Sequence, residues 1–371
     1  MFLKRFTLFL LTFSALSASS QSDISGVLKA NEYDLPNTGK TFILKEAHNA
    51  SFLLLGELHG EKEIPDLIYL LWPVLQKNGF NHIAAEISPW AARKLEFGIN
   101  DDSLKIEGLW TNRQAKSLHT NKATVNDPTV WGCDMEEISL DGELGTLAKI
   151  NYNDSIITKA ESIVSNGYSR QKAASILKLI KNSRPQRDSM IDGISLFENI
   201  KSSLVIDSLR ALPQAKLKAQ ITRENLMKAY FLKRYLNLPN DDENRVFVRF
   251  GRNHLHKGFD DRGLSTLGNF INEFAFSKGL NCFNIATFAA GGKCKLLGDT
   301  FDADETQDDI AFNYLLKLAL YNETIFDLRP MRIQLHNIAS EHRTELDNRL
   351  LYWADSYDAI ICYRKVEPLN N

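Results

Sequence analysis

Short apolar runs rich in β-branched and aromatic residues punctuate this chain, at Phe52–Leu55, His82–Ile87, Thr129–Cys133, Arg245–Phe250, Cys282–Phe288 and Asp358–Tyr363. Each has the length and composition of a buried strand. Longer stretches of helical period separate them; in Pro65–Asn78, for instance, Leu67, Leu70, Leu71, Val74 and Leu75 recur at spacings of three and four. Strand, helix, strand repetition predicts an α/β fold, a mostly parallel sheet flanked by helices. From about 155 to 238 the alternation stops, and amphipathic segments such as Ser169–Lys181 and Ile221–Leu236 predict a largely helical insertion. Pro239 and the polar run 240–244 then turn the chain back to the sheet. A further short strand with an internal ion pair is expected at Ile325–Arg329.

The remaining bulk properties exclude more than they assign. The 371 residues are 44% hydrophobic and 24% charged, enough to bury a large core. With 44 Lys plus Arg against 46 Asp plus Glu the net charge is only -2, and no basic run would draw in nucleic acid; a small-molecule or peptide ligand is the expected partner. Lys4 and Arg5, the apolar run Phe6–Leu16 and the small polar stretch Ser17–Ser20 form the three-part pattern of a signal peptide over residues 1–20, with Ala18 at minus three of a cleavage after Ser20. That run falls short of the roughly 20 residues a bilayer-crossing helix needs. The expectation is a single exported domain over 21–371, periplasmic or secreted, with no permanent membrane span. None of the four cysteines stands in a CxxC pair, so a zinc knuckle is disfavoured. Cys282 and Cys294 are placed to close a short disulfide loop, while Cys133 and Cys362, in apolar runs, read as free buried thiols.

The chemistry gathers where strands stop. Ligands of open α/β sheets bind beyond the carboxyl ends of the strands, and here the first apolar run ends in Gly56-Glu57-Leu58-His59-Gly60. The second ends in Glu86 and the third in Asp134, whereas the run Val246–Gly251 continues into Arg252-Asn253-His254-Leu255-His256. Acids thus face histidines across the strand ends. A carboxylate beside an imidazole orients it and raises its pKa, which suits water activation. Two histidines with one or two carboxylates also make a first shell for a divalent transition metal. Both readings stay open, with Glu57, His59, Glu86 and His254 as catalytic candidates and Glu57, His59 and His254 as ligands if a metal is used.

These segments resemble, in order, a superfamily that joins erythromycin esterases, the Tiki proteases and the ChaN haem-binding proteins. Gly56–Gly60 is similar to its first motif, His82–Glu86 to its glutamate-ended strand, Gly132-Cys133-Asp134 to a glycine-x-aspartate strand end, Arg223–Met227 to a helical arginine-acid-x-x-methionine segment, and Gly251–Gly258 to a late asparagine-histidine strand end. The resemblance implies hydrolysis of an ester or amide bond with a histidine as base, or metal-dependent chemistry, or binding of haem or metal without turnover. One residue, Leu58, separates Glu57 from His59 where the esterases place two, so macrolide resistance does not carry over. A divalent transition metal or haem is the cofactor these alternatives imply.

Plainer roles stand beside these. Glu57 is also placed to cap a following helix, and Glu86 to pair with an arginine. Asp134 doubles as a cap or turn residue, with Glu136 and Glu137 a solvated acidic turn. Arg223 and Glu224 have charged neighbours within a turn and read as a surface ion pair; Arg223 is otherwise a substrate-binding candidate, with Asp134, Arg252 and His256. Arg252 is an anion clamp or an exposed arginine, and His256 a second ligand or a solvent-facing loop residue. His48, His82, His119, His336 and His342 lack comparable company and are expected to be structural or exposed.

Overall fold

The computed structural model describes residues 24–97, 129–135, 140–150, 155–181, 183, 193–239, 244–296, 299–307 and 309–369. The signal-peptide segment, His119, Glu136, Glu137 and most of the polar run after Pro239 lie outside them. Strand β1 (Glu32–Asp34) precedes β2 (Phe52–Glu57), β3 (Phe80–Ala85), β4 (Val130–Gly132), β5 (Arg245–Gly251), β6 (Cys282–Ala289), β7 (Lys293–Leu296), β8 (Asp299–Asp302), β9 (Glu323–Asp327) and β10 (Ala359–Tyr363). Eight of them form one sheet in the order β1-β9-β10-β6-β2-β5-β3-β4, and β7 pairs with β8 in a separate hairpin. From β10 to β4 neighbours run parallel, and β9 and β1 close one edge antiparallel. The predicted α/β class is the observed one.

Strand β2 shows why the apolar runs behave this way. It lies between β5 and β6, with every residue buried. Because side chains alternate across a sheet, Leu53 and Leu55 enter one core with Ile64, Leu67 and Leu71 of the helix Glu63–Lys77, while Phe52 and Leu54 enter the other with Met227, Phe231, Leu267 and Ile271. Each such fully buried side chain contributes about 1.5–3 kcal/mol of transfer free energy. A strand apolar on both faces is stable only under helices on both sides, which the connections supply.

Between β4 and β5 every described element is helical, at Leu140–Ile150, Ser155–Ser165, Arg170–Ile180, Gly193–Arg210 and Lys216–Leu236, with a 3-10 turn at Pro213–Ala215. The first of these begins ahead of position 155. This region has its own apolar cluster, built around Leu144, Leu147, Ile157, Ile176, Ile200 and Leu204. Its last helix, Lys216–Leu236, returns to the sheet through Met227 and Phe231. That packing lays the helix's first half along the carboxyl ends of the strands.

Two details depart from the sequence reading. All four cysteines are free thiols, Cys282 lying near the Ile271 carbonyl and Cys294 near Glu61, so the Cys282–Cys294 loop does not form. Strand β1 and the β7–β8 hairpin have no period-two signal of their own; every residue of the hairpin strand Asp299–Asp302 is exposed, Phe301 at 38%. No described helix is long and apolar enough to cross a membrane.

Candidate active site

Parallel register brings the carboxyl ends of β2, β3 and β5 side by side: Glu57 lies opposite Gly251, and Ala85 opposite Arg249. The chain leaving β5 passes so close over β2 that a Cβ on Gly56 would stand 2.7 Å from the Arg252 Cα. Glycine is the residue that permits this approach.

Glu57 is buried, and its Oε2 accepts a 2.7 Å hydrogen bond from Nε of Arg249. Its Oε1 lies 3.1 Å from Nδ1 of His59, two residues on. The other nitrogen of that ring, Nε2, stands 3.3 Å from Oε2 of Glu86. Across the cluster His254 repeats the pattern: Nδ1 is 2.5 Å from Oε1 of Glu224, and Nε2 is 3.3 Å from Oε1 of Glu86. Glu224 is held in turn by the Leu267 N–H at 3.0 Å. Glu86 also accepts from the Gly251 N–H at 2.6 Å and from Nη2 of Arg223 at 2.8 Å, and Arg223 binds Asp134 through Nε at 3.0 Å and through Nη2. Two imidazoles, each oriented by its own carboxylate, therefore point at one shared carboxylate.

The electrostatics follow from that sharing. Burial by itself opposes charge on His59, but the Glu86 charge and the bonds to Glu57 and Glu86 outweigh it and push the imidazole up to about 10. Burial likewise opposes charge on His254; Glu86 and Glu224 overcome it and bring that ring to about 9. Burial alone would raise Glu86, yet the two imidazoles hold it well below the usual carboxylate range. The sharing favours the imidazolium form of both rings and the carboxylate form of Glu86.

Of the residues singled out from the sequence, Glu57, His59, Glu86, His254, Asp134 and Arg223 converge. The surface-pair reading of Arg223 and Glu224 is overturned: Arg223 points to Glu86 and Asp134, and Glu224, 3% exposed, holds His254. Arg252 is neither exposed nor an anion clamp in the cluster. Its guanidinium donates to the Thr287 carbonyl and to both oxygens of Glu305, beneath the Phe312 ring. His256 is neither a ligand nor a loop residue in solvent. It is buried among Tyr352, Trp353 and Tyr357, with Nδ1 3.1 Å from the Tyr352 hydroxyl, and burial pushes it down to about 4. His82 stacks on Trp131, and His48, His336 and His342 are exposed. Arg249 is a site residue that the strand-end pattern does not single out; its signal in the sequence is a charge amid Val246, Phe247, Val248 and Phe250, costly to bury without a partner.

The donor set does not fit a metal. Among the described residues no three His, Cys, Asp or Glu side chains are grouped to hold an ion. Glu86 carries the Arg223 guanidinium, whose charge opposes a divalent cation there. A haem iron is no better served, because both Nε2 atoms are turned onto Glu86.

No protein-family model matches the chain, and no curated protein does. Solved structures do. A Bacillus cereus protein matches with TM-score 0.58 and 13% identity over 94% of this chain and 98% of its own. A succinoglycan biosynthesis protein matches with 0.58 and 14% over the same shares. An erythromycin esterase mutant in its open conformation matches with 0.57 and 13% over 91% of this chain and 95% of its own. At these identities what is shared is the fold, and the chain has a fold similar to that of the erythromycin esterase.

Proposed function

We propose that the chain is an exported hydrolase that cleaves an ester or amide bond of a small-molecule or peptide substrate by activating water with histidine and glutamate. The observation that carries this reading is the convergence of two carboxylate-oriented imidazoles on Glu86. A base must be neutral and a leaving group must receive a proton, and a linked pair of imidazoles supplies both forms once one proton is lost. The neutral ring takes a proton from water; the remaining imidazolium donates to the departing oxygen or nitrogen. Glu57 and Glu224 hold the Nδ1 protons and so fix which nitrogen faces the reaction. Arg223, which donates to Glu86 at 2.8 Å and to Asp134, holds Glu86 in place beside the two rings. The fold likeness to an erythromycin esterase agrees with hydrolysis, while the one-residue spacing of Glu57 and His59 means that macrolide resistance is not carried over with it. Export rests on the signal pattern of residues 1–20.

The test is turnover of the purified chain on aryl esters, lactones and amides beside His59→Ala and His254→Ala, with elemental analysis of all three proteins. The expected result is hydrolysis in the parent and a loss of about 10²–10⁴-fold in each variant. Equal rates in parent and variants, or stoichiometric metal present in the parent and lost in both variants, would overturn the reading.

A further inference from the structure

The two histidines differ in how their backbones are held. His254 closes the 3-10 turn Arg252–His254, which the Leu255 N–H caps at 2.9 Å and the Tyr357 hydroxyl braces at the Arg252 carbonyl. His59 stands beyond the end of β2, followed by Gly60 at φ 94°. A glycine in that region lets the chain beyond His59 take several paths unless other groups fix the Gly60–Glu61 peptide.

Two segments distant in sequence do so. The Gly60 carbonyl accepts from the Lys295 N–H of β7 and from the Leu369 N–H, both at 2.9 Å. The Lys62 N–H donates to the Glu367 carbonyl at 2.9 Å, Glu61 lies antiparallel to Pro368, and the Glu367 N–H donates to Glu63 at 2.9 Å. The strap is itself well seated. Val366 and Leu369 are buried, the Val366 N–H donates to the Gly291 carbonyl at 2.9 Å, and the Val366 carbonyl passes so close to Gly292 that a Cβ there would meet it at 2.0 Å. Under the strap Glu61 is buried against the Cys294 thiol at 3.7 Å.

We propose that Leu369 is a positioning residue for His59: its N–H, donated to the Gly60 carbonyl, fixes the Gly60–Glu61 peptide, anchors the chain one residue beyond His59 and so helps aim the imidazole at Glu86. The catalytic consequence rests on the hydrolase reading; the structural one does not. Small displacements of an oriented base cost large factors in rate, and here the orientation is delivered through a single carbonyl.

Leu369→Pro removes the N–H and keeps an apolar side chain, and Pro368, bridged antiparallel to Glu61, lies in the β-type backbone that a following proline favours. Leu369→Ala keeps the N–H and removes most of the side chain. A chain ending at Pro368 removes the N–H without introducing a ring, in case the proline variant does not fold. Each is compared with the parent by NMR of ¹⁵N-labelled histidine rings, assigned with His59→Ala and His254→Ala, and by ester turnover. In Leu369→Pro, or in the shortened chain, the His59 ring resonances shift or broaden while those of His254 hold, and kcat falls at least about tenfold with KM within twofold. Leu369→Ala lowers Tm but leaves the His59 ring signals in place. Unchanged His59 resonances, equal disturbance of His59 and His254, or an alanine variant as damaged as the proline variant would each overturn the proposal. Absence of turnover in the parent would instead count against the hydrolase reading, and the NMR comparison would still decide the role of Leu369.

Discussion

The two imidazole–carboxylate pairs reach the same chemistry by different routes. In the Glu57–His59 pair the carboxylate is two residues from the ring, at the end of the strand that precedes it, and a 3.1 Å contact needs only that strand to stop there. In the His254–Glu224 pair thirty positions and a change of element intervene: the acid sits on the helix Lys216–Leu236, and the 2.5 Å contact exists only because Met227 and Phe231 dock that helix on the sheet. Glu86 is common to both. The first pair is a property of a strand end and the second a property of packing, so they answer differently to perturbation.

The largest effect is expected where the two pairs meet. Glu86→Gln keeps the shape but turns one acceptor oxygen into an NH2 donor and removes the charge that both rings share; activity is expected to fall by about 10³-fold, both imidazoles to titrate lower, and steady-state kinetics with histidine NMR checks it. The same variant sharpens the pH dependence. His59 and His254 lie above their ordinary 6.5, at about 10 and about 9, so the stability they contribute is complete below 6.5, declines as pH rises through 9 to 10, and is gone above. The parent's denaturation midpoint should therefore fall between pH 7 and 10, and the Glu86→Gln midpoint should change much less over that range. A parallel decline in both proteins would disconnect the imidazoles from Glu86.

Next in size is the contrast between the pairs themselves. Glu57→Gln and Glu224→Gln each leave an imidazole without its oriented Nδ1 partner, for an expected loss of about 10–10²-fold in kcat. Only Glu224→Gln should also loosen the docking of its helix, seen as faster amide exchange at Leu267, whose N–H it accepts at 3.0 Å. Equal exchange in the two variants would remove the distinction between a local and a packed pair. The smallest effect is expected at His256. His256→Phe sits within an aromatic box, away from Glu86, and should change kcat less than twofold; because the ring is held low, at about 4, it also adds no pH dependence near neutrality.

His254 and His256 mark the limit of what could be read in advance. They are two residues apart in one polar loop, with the same side chain and similar neighbours in sequence, yet one ring faces Glu86 and the other packs on Tyr352, Trp353 and Tyr357. Arg223 and Glu224 show the same limit in reverse, since charged neighbours on a helix look like a solvated face until the helix is seen to lie over the strand ends.

What the sequence determined alone is whatever depends on short range: apolar runs that must be buried on both faces, helical periods between them, and acids or histidines placed where each run stops. Those features follow from backbone periodicity and the cost of burying charge, and they made the sheet, its helices and the residues Glu57, His59 and Glu86 legible. Only the tertiary structure decided which helix lies over the strand ends, where Arg252 and His256 turn, and how the segment Val366–Leu369 pairs with Gly60–Glu63. Those choices depend on contacts between residues far apart in the chain, whose pairing no local pattern encodes.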